Sequence, residues 1–197
     1  MIARLIPRYG EPHRRYHTWA HVAHVFSTSE QISWDRSIQL SLAIFYHDAI
    51  CDPLAKDNEE RSAALLVDEG KRFGVPESVL AESAALVRLT ANAGAALLGR
   101  DRDLGHSVRD RASVLLDADL SILGQSEDVF DAYEDAIQKE YATVPDDLFR
   151  PGRRKILVDL LARRTIFFTE HGRKLWEEAA RENLTRSVAR LGEPVKT

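Results

Sequence analysis

The apolar residues of this 197-residue chain recur at helical spacing along nearly its whole length. After Thr18, a plausible N-cap, Val22, Val25 and Phe26 fall on one helical face, and the range 34–48 is apolar on several faces. No segment shows the alternation of apolar and polar residues that marks a half-buried strand. The pattern therefore predicts an all-α fold.

Capping and helix-breaking residues predict where the other helices begin and end. They indicate helices in the ranges 58–74, 76–92, 108–123, 126–145, 150–169 and 172–191. A polar connection marked by Gly94, Gly99 and Gly105 is expected between the second and third of these helices.

Composition narrows the class of protein and of partner. A chain of this length, 44% hydrophobic and 29% charged, is expected to form a single domain over residues 1–197. A net charge of -4 makes nucleic acid a poor partner. Cys51 is the only cysteine, the stretch "MIARLIPRYGEP" has no apolar run of signal-peptide length, and nowhere do 18 apolar residues run together. We expect a cytoplasmic protein that has no membrane contact, and long helical faces would also allow a homodimer.

Ionisable residues interrupt three of the apolar segments. His21 lies early in the first long helix, His47 and Asp48 end the next one, and Asp117 and Asp119 lie within "LLDADLSIL". Burying such groups costs several kcal/mol each unless they meet a counter-charge or a metal. One shared cation would offset the burial of the ionisable groups in all three segments.

Two imidazoles and two carboxylates suit a divalent metal ion such as Mn, Fe, Co, Ni, Zn or Mg, and an octahedral ion would keep positions open for water and substrate. A bound metal lowers the pKa of water from ~15.7 toward ~7 and polarises a phosphoryl oxygen. The residue types therefore indicate hydrolase chemistry.

The chain resembles the HD superfamily of metal-dependent phosphohydrolases, whose ordered pattern is H…HD…D on a helical bundle. The details are similar to a family of short bacterial proteins described as predicted metal-dependent phosphohydrolases of this superfamily. The landmarks are "RRYHTWAHV", "FYHDAICDP", "NEERSA", "LDADLSILG" and "RPGRRKIL". The resemblance covers residues 9–191, nearly the whole chain, and implies an HD-domain-like bundle.

The resemblance implies His21, His47, Asp48 and Asp119 as the ligands of one divalent metal ion. Asp119 is preferred because "ADLSIL" is similar to the stretch that follows the last metal ligand in related phosphodiesterases. Asp117 points about 200° around the helix from Asp119, so we expect it outside the ligand set, in a supporting position.

Further side chains near this set have two interpretations each. Asp48 is expected to act in catalysis as well as ligation. Glu59 and Glu60 either complement a helix dipole or supply a general base. His17, which precedes the cap, and His24, one turn after His21, contact substrate or are ordinary structural imidazoles.

Arg150 and Arg153 stand at a predicted helix start, where cations oppose the helix dipole. A bound phosphate would reconcile that placement, because helix N-termini and arginines both attract anions. Pairing with nearby acids is the alternative interpretation.

The expected function is hydrolysis of a phosphate ester or anhydride in a small phosphorylated substrate, with a nucleotide as the favoured class. The chain departs from the pattern of that family at one place: the resemblance implies a histidine about three residues beyond Thr90, where this chain has Asn92, Ala93 and Gly94. The alternatives are a regulatory HD protein that binds metal or nucleotide without catalysis, and a di-iron HD oxygenase, which needs further histidine ligands.

Overall fold

A computed structural model describes residues 1–98 and 105–193, without the side chains of residues 95–98. The fold is all-α, as predicted, and the described residues contain no strand. Its α-helices are α1 Ile6–Tyr9, α2 Trp19–Ile32, α3 Ile38–Tyr46, α4 Asn58–Arg72, α5 Glu77–Leu89, α6 Ala91–Leu98, α7 His106–Leu120, α8 Glu127–Glu140, α9 Asp146–Leu161 and α10 Glu170–Gly192. Two short 3₁₀ helices, Ile2–Arg4 and Ser121–Gly124, complete the described elements. Among these helices, none combines the length and the apolar character that crossing a bilayer requires.

The start of α3 differs from the sequence prediction, which placed it at Trp34. The helix begins at Ile38 because the Ser37 hydroxyl accepts a hydrogen bond from the Leu40 backbone N–H and so forms the N-cap. Before it, the Asp35 carboxylate accepts from the Ser37 backbone N–H at 2.7 Å. Trp34 is 88% exposed, so its ring plays no part in the core.

The end of α5 also differs from the prediction, because the helix stops at Leu89 rather than near Asn92. Asn92, Ala93 and Gly94 take left-handed conformations with φ of 51°, 51° and 74°. Such values are unfavourable for residues other than glycine. The Arg163 guanidinium donates to the carbonyl oxygens of Asn92 and Ala93 and so helps to hold this turn. Gly99, expected in the connection that follows, lies outside the described residues.

The buried apolar side chains form two packed groups along the chain. The first runs from Leu5 to Ala118 and is built mainly from α2, α3, α4, α5 and α7. The second runs from Leu120 to Leu184 and is built from the Ser121–Gly124 helix, α8, α9 and α10. The last turn of α7 therefore passes from one group to the other, and Asp119 lies at that junction.

Asp117 is fully buried and fixes the chain before α10. Its carboxylate accepts hydrogen bonds from the backbone N–H of Phe168 at 2.7 Å and of Thr169 at 2.8 Å, and from the Thr169 hydroxyl. Burial raises the pKa of Asp117, although these hydrogen bonds oppose the rise. A Cβ on Gly172 would stand 2.4 Å from the same carboxylate, so glycine allows this close approach.

Candidate metal centre

Three elements bring four predicted ligands together. His21 lies in the first turn of α2, His47 and Asp48 directly follow α3, and Asp119 lies in the last turn of α7. α2 packs against both α3 and α7, which places these helix ends side by side. We call these four residues the His/Asp cluster.

The donor atoms of the His/Asp cluster gather around His21 Nε2, and those of His21, His47 and Asp48 lie within 4.8 Å of one another. His21 Nε2 lies 3.1 Å from His47 Nε2, 3.3 Å from Asp48 Oδ2 and 3.2 Å from Asp119 Oδ1. His47 Nε2 lies 3.0 Å from Asp48 Oδ2 and 3.7 Å from Asp119 Oδ1. Both histidine side chains are buried, whereas the Asp48 and Asp119 side chains are 24% and 23% exposed. The cluster is therefore closed on its histidine side and open to solvent on its carboxylate side.

The outer nitrogens of the two imidazoles have different surroundings. His47 Nδ1 lies 2.8 Å from the carbonyl oxygen of Ile44, to which it can donate a hydrogen bond. In a neutral imidazole this bond places the lone pair on Nε2, the nitrogen that faces the cluster. His21 Nδ1 is buried and has no hydrogen-bond partner among the described residues.

The cluster shifts the pKa values of its members in opposite directions. Burial lowers the pKa of His47, but the charge of Asp48 and hydrogen bonds to Asp48 and Asp119 outweigh it and hold that pKa well above its usual range. Burial raises the pKa of Asp48, but the neighbouring His47 and His17 outweigh it and hold that pKa well below its usual range. The pKa of Asp119 is lowered for the same reason by hydrogen bonds to His21 and His47. Both carboxylates are therefore ionised at neutral pH.

This donor set fits a divalent metal ion. Bonds of about 2.1 Å place neighbouring ligands about 3.0 Å apart in an octahedron and about 3.4 Å apart in a tetrahedron. The distances that join His21 Nε2 to the other three donor atoms, 3.1–3.3 Å, lie in that range. Two imidazoles with two carboxylates are the ligands of borderline and harder transition metal ions. The open carboxylate side leaves room for water or substrate.

His17 lies beside the cluster and is held by an acid that the sequence analysis did not single out. Its Nε2 is 3.9 Å from Asp48 Oδ2, and its Nδ1 forms a short hydrogen bond with Glu140 Oε1. Burial lowers the pKa of His17, but Asp48, Cys51 and Glu140 together raise it well above its usual range. The side chain is 22% exposed, so one edge of the ring faces open space next to the cluster.

The contact between His17 and Glu140 belongs to a group of three potential metal ligands. His17, Cys51 and Glu140 each offer one donor atom, and the three atoms lie within 4.8 Å of one another. We call these residues the thiol triad. The other group of this kind among the described residues is His21, His47 and Asp48.

The predicted substrate-binding residues are placed differently from one another. His24 Nε2 lies 2.9 Å from the Ser121 hydroxyl, and burial together with the charge of His21 lowers the pKa of His24. Arg150 donates to the carbonyl oxygens at the end of α10, at distances of 2.8–3.1 Å. Arg150 therefore caps a helix instead of reaching the cluster. The expectation that it binds phosphate has no support from its contacts.

Arg153 is largely buried and its charge is already paired. It donates to the Glu134 carboxylate and, at 2.6 Å, to the Tyr133 hydroxyl. Glu134 also accepts a hydrogen bond from the Ser187 hydroxyl on α10 at 2.8 Å. Arg153 is thus part of a buried polar network that joins α8, α9 and α10.

The two acids at the start of α4 make no contact with the His/Asp cluster. Glu60 is exposed and forms a bidentate ion pair with Arg88 on α5, at 2.6 and 2.8 Å. Glu59 makes no hydrogen bond or ion pair among the described residues. Their surroundings favour the helix-dipole interpretation over the general base.

A cavity of about 590 Å³ opens next to His17. Its wall carries two cationic side chains, Lys56 and Arg153, together with apolar and aromatic side chains. The aromatic residues are Tyr133, Tyr141 and Phe149. We call this space the Arg153 cavity.

Sequence reasoning missed Glu140 and Tyr16. Glu140 is 2% exposed and lies on the buried face of α8 with Phe130, Glu134 and Ile137. An acidic residue at a position where helical spacing predicts an apolar one could have identified it from the sequence. The Tyr16 hydroxyl is buried without a hydrogen-bond partner in the described part of the chain, and its ring centre lies 4.7 Å from that of His21. No sequence pattern marks that tyrosine.

No family model, curated protein or solved structure matches the chain.

Proposed function

We propose that this protein is a metal-dependent phosphohydrolase of the HD type, which cleaves a phosphate ester or anhydride in a nucleotide or a related small molecule. The observation that supports the proposal is the His/Asp cluster, in which two imidazole nitrogens and two carboxylate oxygens lie around His21 Nε2, while the neighbouring His17 lines a cavity. Convergent ionisable groups in a cleft are typical of functional sites.

The four residues of the His/Asp cluster would hold one divalent cation. When bound, such a cation makes hydroxide available from water near neutral pH and polarises a phosphoryl oxygen. The chain contributes orientation. Asp48 remains ionised and partly exposed, so its carboxylate can accept a hydrogen bond from an attacking water.

The Arg153 cavity supports the assignment of the substrate class. His17 and Lys56 line this cavity, and imidazole N–H and ammonium groups can donate to phosphate oxygens. Tyr141 and Phe149 offer flat apolar surfaces on which a nucleobase can pack. Arg153 is bound to Glu134, so we assign it to the wall of the cavity and not to the phosphate.

The di-iron oxygenase alternative gains no support from the histidine contacts. It requires two or more additional imidazole ligands at the His/Asp cluster. His24 Nε2 contacts the Ser121 hydroxyl instead, which leaves His17 Nε2, 3.9 Å from Asp48 Oδ2, as one candidate. A regulatory HD protein would have the same metal centre. Only a measurement of hydrolysis therefore distinguishes it from the proposed enzyme.

The test is a paired measurement of bound metal and of hydrolysis of phosphomonoesters and nucleotides. His21→Ala should lose the cation of the His/Asp cluster and all activity, because it removes a buried ligand. His17→Ala should keep that cation and lose about 10- to 100-fold in activity, as expected for an imidazole that supports the site from outside the ligand set. His106→Ala, at an exposed position at the start of α7, is the matched control and should match the wild type.

Two results would overturn the assignment. Wild-type protein that binds the cation but hydrolyses none of the phosphate compounds is a regulatory binding protein. If His17→Ala loses the cation and His21→Ala keeps it, the ligand lies one helical turn earlier in the sequence.

A further inference from the structure

The thiol triad brings together three kinds of metal-ligating atom from distant parts of the chain. His17 precedes α2, Cys51 lies in the turn after α3, and Glu140 is the last residue of α8. None of these contacts follows from sequence neighbourhood, since Glu140 is separated from His17 by 123 positions. The fold itself places a sulfur, a nitrogen and an oxygen at one point.

Glu140 is held so that one carboxylate oxygen is fixed and the other faces the triad. Its Oε2 accepts hydrogen bonds from the backbone N–H groups of Arg15, Tyr16 and His17, with N···O distances of 2.9–3.1 Å. Its Oε1 faces His17 Nδ1 and, at 3.7 Å, the Cys51 sulfur. A carboxylate anchored through one oxygen is oriented in the way that outer hydrogen bonds orient metal ligands.

Cys51 has a fixed backbone and a weakly engaged thiol. Its carbonyl oxygen lies 2.7 Å from His13 Nε2, which can donate to it. Its Sγ contacts Glu140 at 3.7 Å, and a thiol is a weak hydrogen-bond donor. The sulfur can therefore exchange this partner for a metal ion at little cost.

We propose that the thiol triad is a second cation site, which binds a borderline transition metal ion such as Zn²⁺ through Cys51 Sγ, His17 Nδ1 and Glu140 Oε1. Thiolate, imidazole and carboxylate together are zinc ligands, whereas Mg²⁺ and Ca²⁺ prefer oxygen alone. A thiolate and a carboxylate also supply the two negative charges that neutralise a divalent ion. This site is separate from the His/Asp cluster and does not depend on the proposed hydrolysis.

Ligand spacing shows what must move on binding. Tetrahedral zinc with ordinary bond lengths places sulfur and oxygen ligands about 3.5 Å apart and nitrogen and oxygen ligands about 3.3 Å apart. The sulfur and oxygen atoms of the triad, 3.7 Å apart, need little adjustment. The His17 ring must withdraw from Glu140 by about 1 Å, and it borders the Arg153 cavity, where there is space.

Binding would replace two protons, one on the thiol and one between His17 and Glu140, because metal ligands must be deprotonated. His17 Nε2 then carries the remaining ring proton and stays directed toward Asp48, 3.9 Å away. A single imidazole would therefore connect the second cation to the His/Asp cluster.

Cobalt(II) titration of the full-length protein tests the proposal, because a thiolate bound to cobalt gives a charge-transfer band in the near ultraviolet. The His/Asp cluster has no sulfur and cannot give that band. The protein is kept reduced with a phosphine, which does not compete as a thiol would, and bound metal is counted by equilibrium dialysis. The wild type should bind two equivalents and develop the band, and Zn²⁺ should displace the cobalt.

Variants assign the band to the triad. Cys51→Ser, a near-isosteric change at a partly exposed side chain, should lose the band and one equivalent. His47→Ala should lose the equivalent of the His/Asp cluster and keep the band. Glu140→Gln should weaken the affinity of the band-forming site at least about 10-fold. Asp135→Asn, an exposed acid on the same helix, should titrate like the wild type.

Three results would overturn the proposal: a wild type with no band at saturating cobalt, an equal number of equivalents in the wild type and Cys51→Ser, or a Glu140→Gln titration identical to that of Asp135→Asn. The first two results would mean that the triad is only a hydrogen-bonded group. The third would remove the carboxylate from the ligand set.

Discussion

Replacing Glu140 with Gln should destabilise the metal-free protein in a pH-dependent way. Burial raises the pKa of this carboxyl, but the hydrogen bond and charge of His17, together with the backbone N–H groups of Arg15 and His17, lower it from 4.5 to about 2. At about 1.4 kcal/mol for each unit of pKa shift, the lowered pKa of Glu140 corresponds to about 3 kcal/mol of stability at pH 7. Gln keeps the shape of the side chain and removes its charge.

The sign of the pH effect follows from the lowered pKa. A carboxyl whose pKa is lower in the folded state stabilises the fold above its unfolded pKa, here 4.5, and loses that contribution as the pH falls toward the folded value, here about 2. The difference between wild type and Glu140→Gln should therefore shrink from about 3 kcal/mol at pH 7 to about 2 kcal/mol at pH 3.5.

Urea denaturation followed by far-ultraviolet circular dichroism, in the presence of a chelator, measures this difference at both pH values. Asp135→Asn changes an exposed acid of the same helix and should leave the free energy of unfolding within about 0.5 kcal/mol of the wild type. A Glu140→Gln variant as stable as Asp135→Asn, or a deficit that is the same at pH 7 and pH 3.5, would refute the reasoning.

Three further substitutions test other parts of the structure. Asp48→Ala should lose the cation of the His/Asp cluster and keep its helical circular dichroism; an unchanged metal content would remove Asp48 from the ligand set. Arg153→Ala leaves the buried Glu134 carboxylate without its cation and should lower the free energy of unfolding by about 3 kcal/mol in urea, and a wild-type midpoint would contradict this. Gly124→Ala would place a Cβ 2.3 Å from the Trp176 Cβ and should cost about 1–3 kcal/mol, seen as a lower Tm, whereas an unchanged Tm would show that the contact relaxes.

The helical class could be predicted from the sequence because each long helix buries one apolar face and lies between recognisable helix-stopping residues. Two of the boundaries that were wrong, at α3 and α5, depend on tertiary or side-chain contacts, whereas α9 was predicted at 150–169 and spans Asp146–Leu161. The Ser37 cap moves the start of α3, and the turn at Asn92 and Ala93 is held by Arg163, 70 positions away. Propensity and spacing carry no information about such partners.

The His/Asp cluster could be predicted because ionisable residues in apolar helices are costly to bury unless they lie next to one another or to a metal ion. The residues that surround the cluster could not be predicted from the sequence. Arg150 and Arg153 were interpreted as lying at a helix start, which is wrong because α9 begins at Asp146, and their acceptors lie on α10 and α8. Glu140 looks like any acid near a helix end until the fold brings it to the backbone of residues 15–17. The ligand assignments and the phosphohydrolase function stay predictions.

The position of Asp119 would give the proposed cation a role in folding cooperativity. Asp119 stands between Ala118, which packs in the first apolar group, and Leu120, which packs in the second. His21, His47 and Asp48 all belong to segments of the first group. A cation present at 100 times its Kd would add about 2.7 kcal/mol to the free energy of unfolding. Asp119 is the ligand at the junction, so opening of the second group that unwinds the last turn of α7 would release it, and a bound ion would therefore couple the two groups.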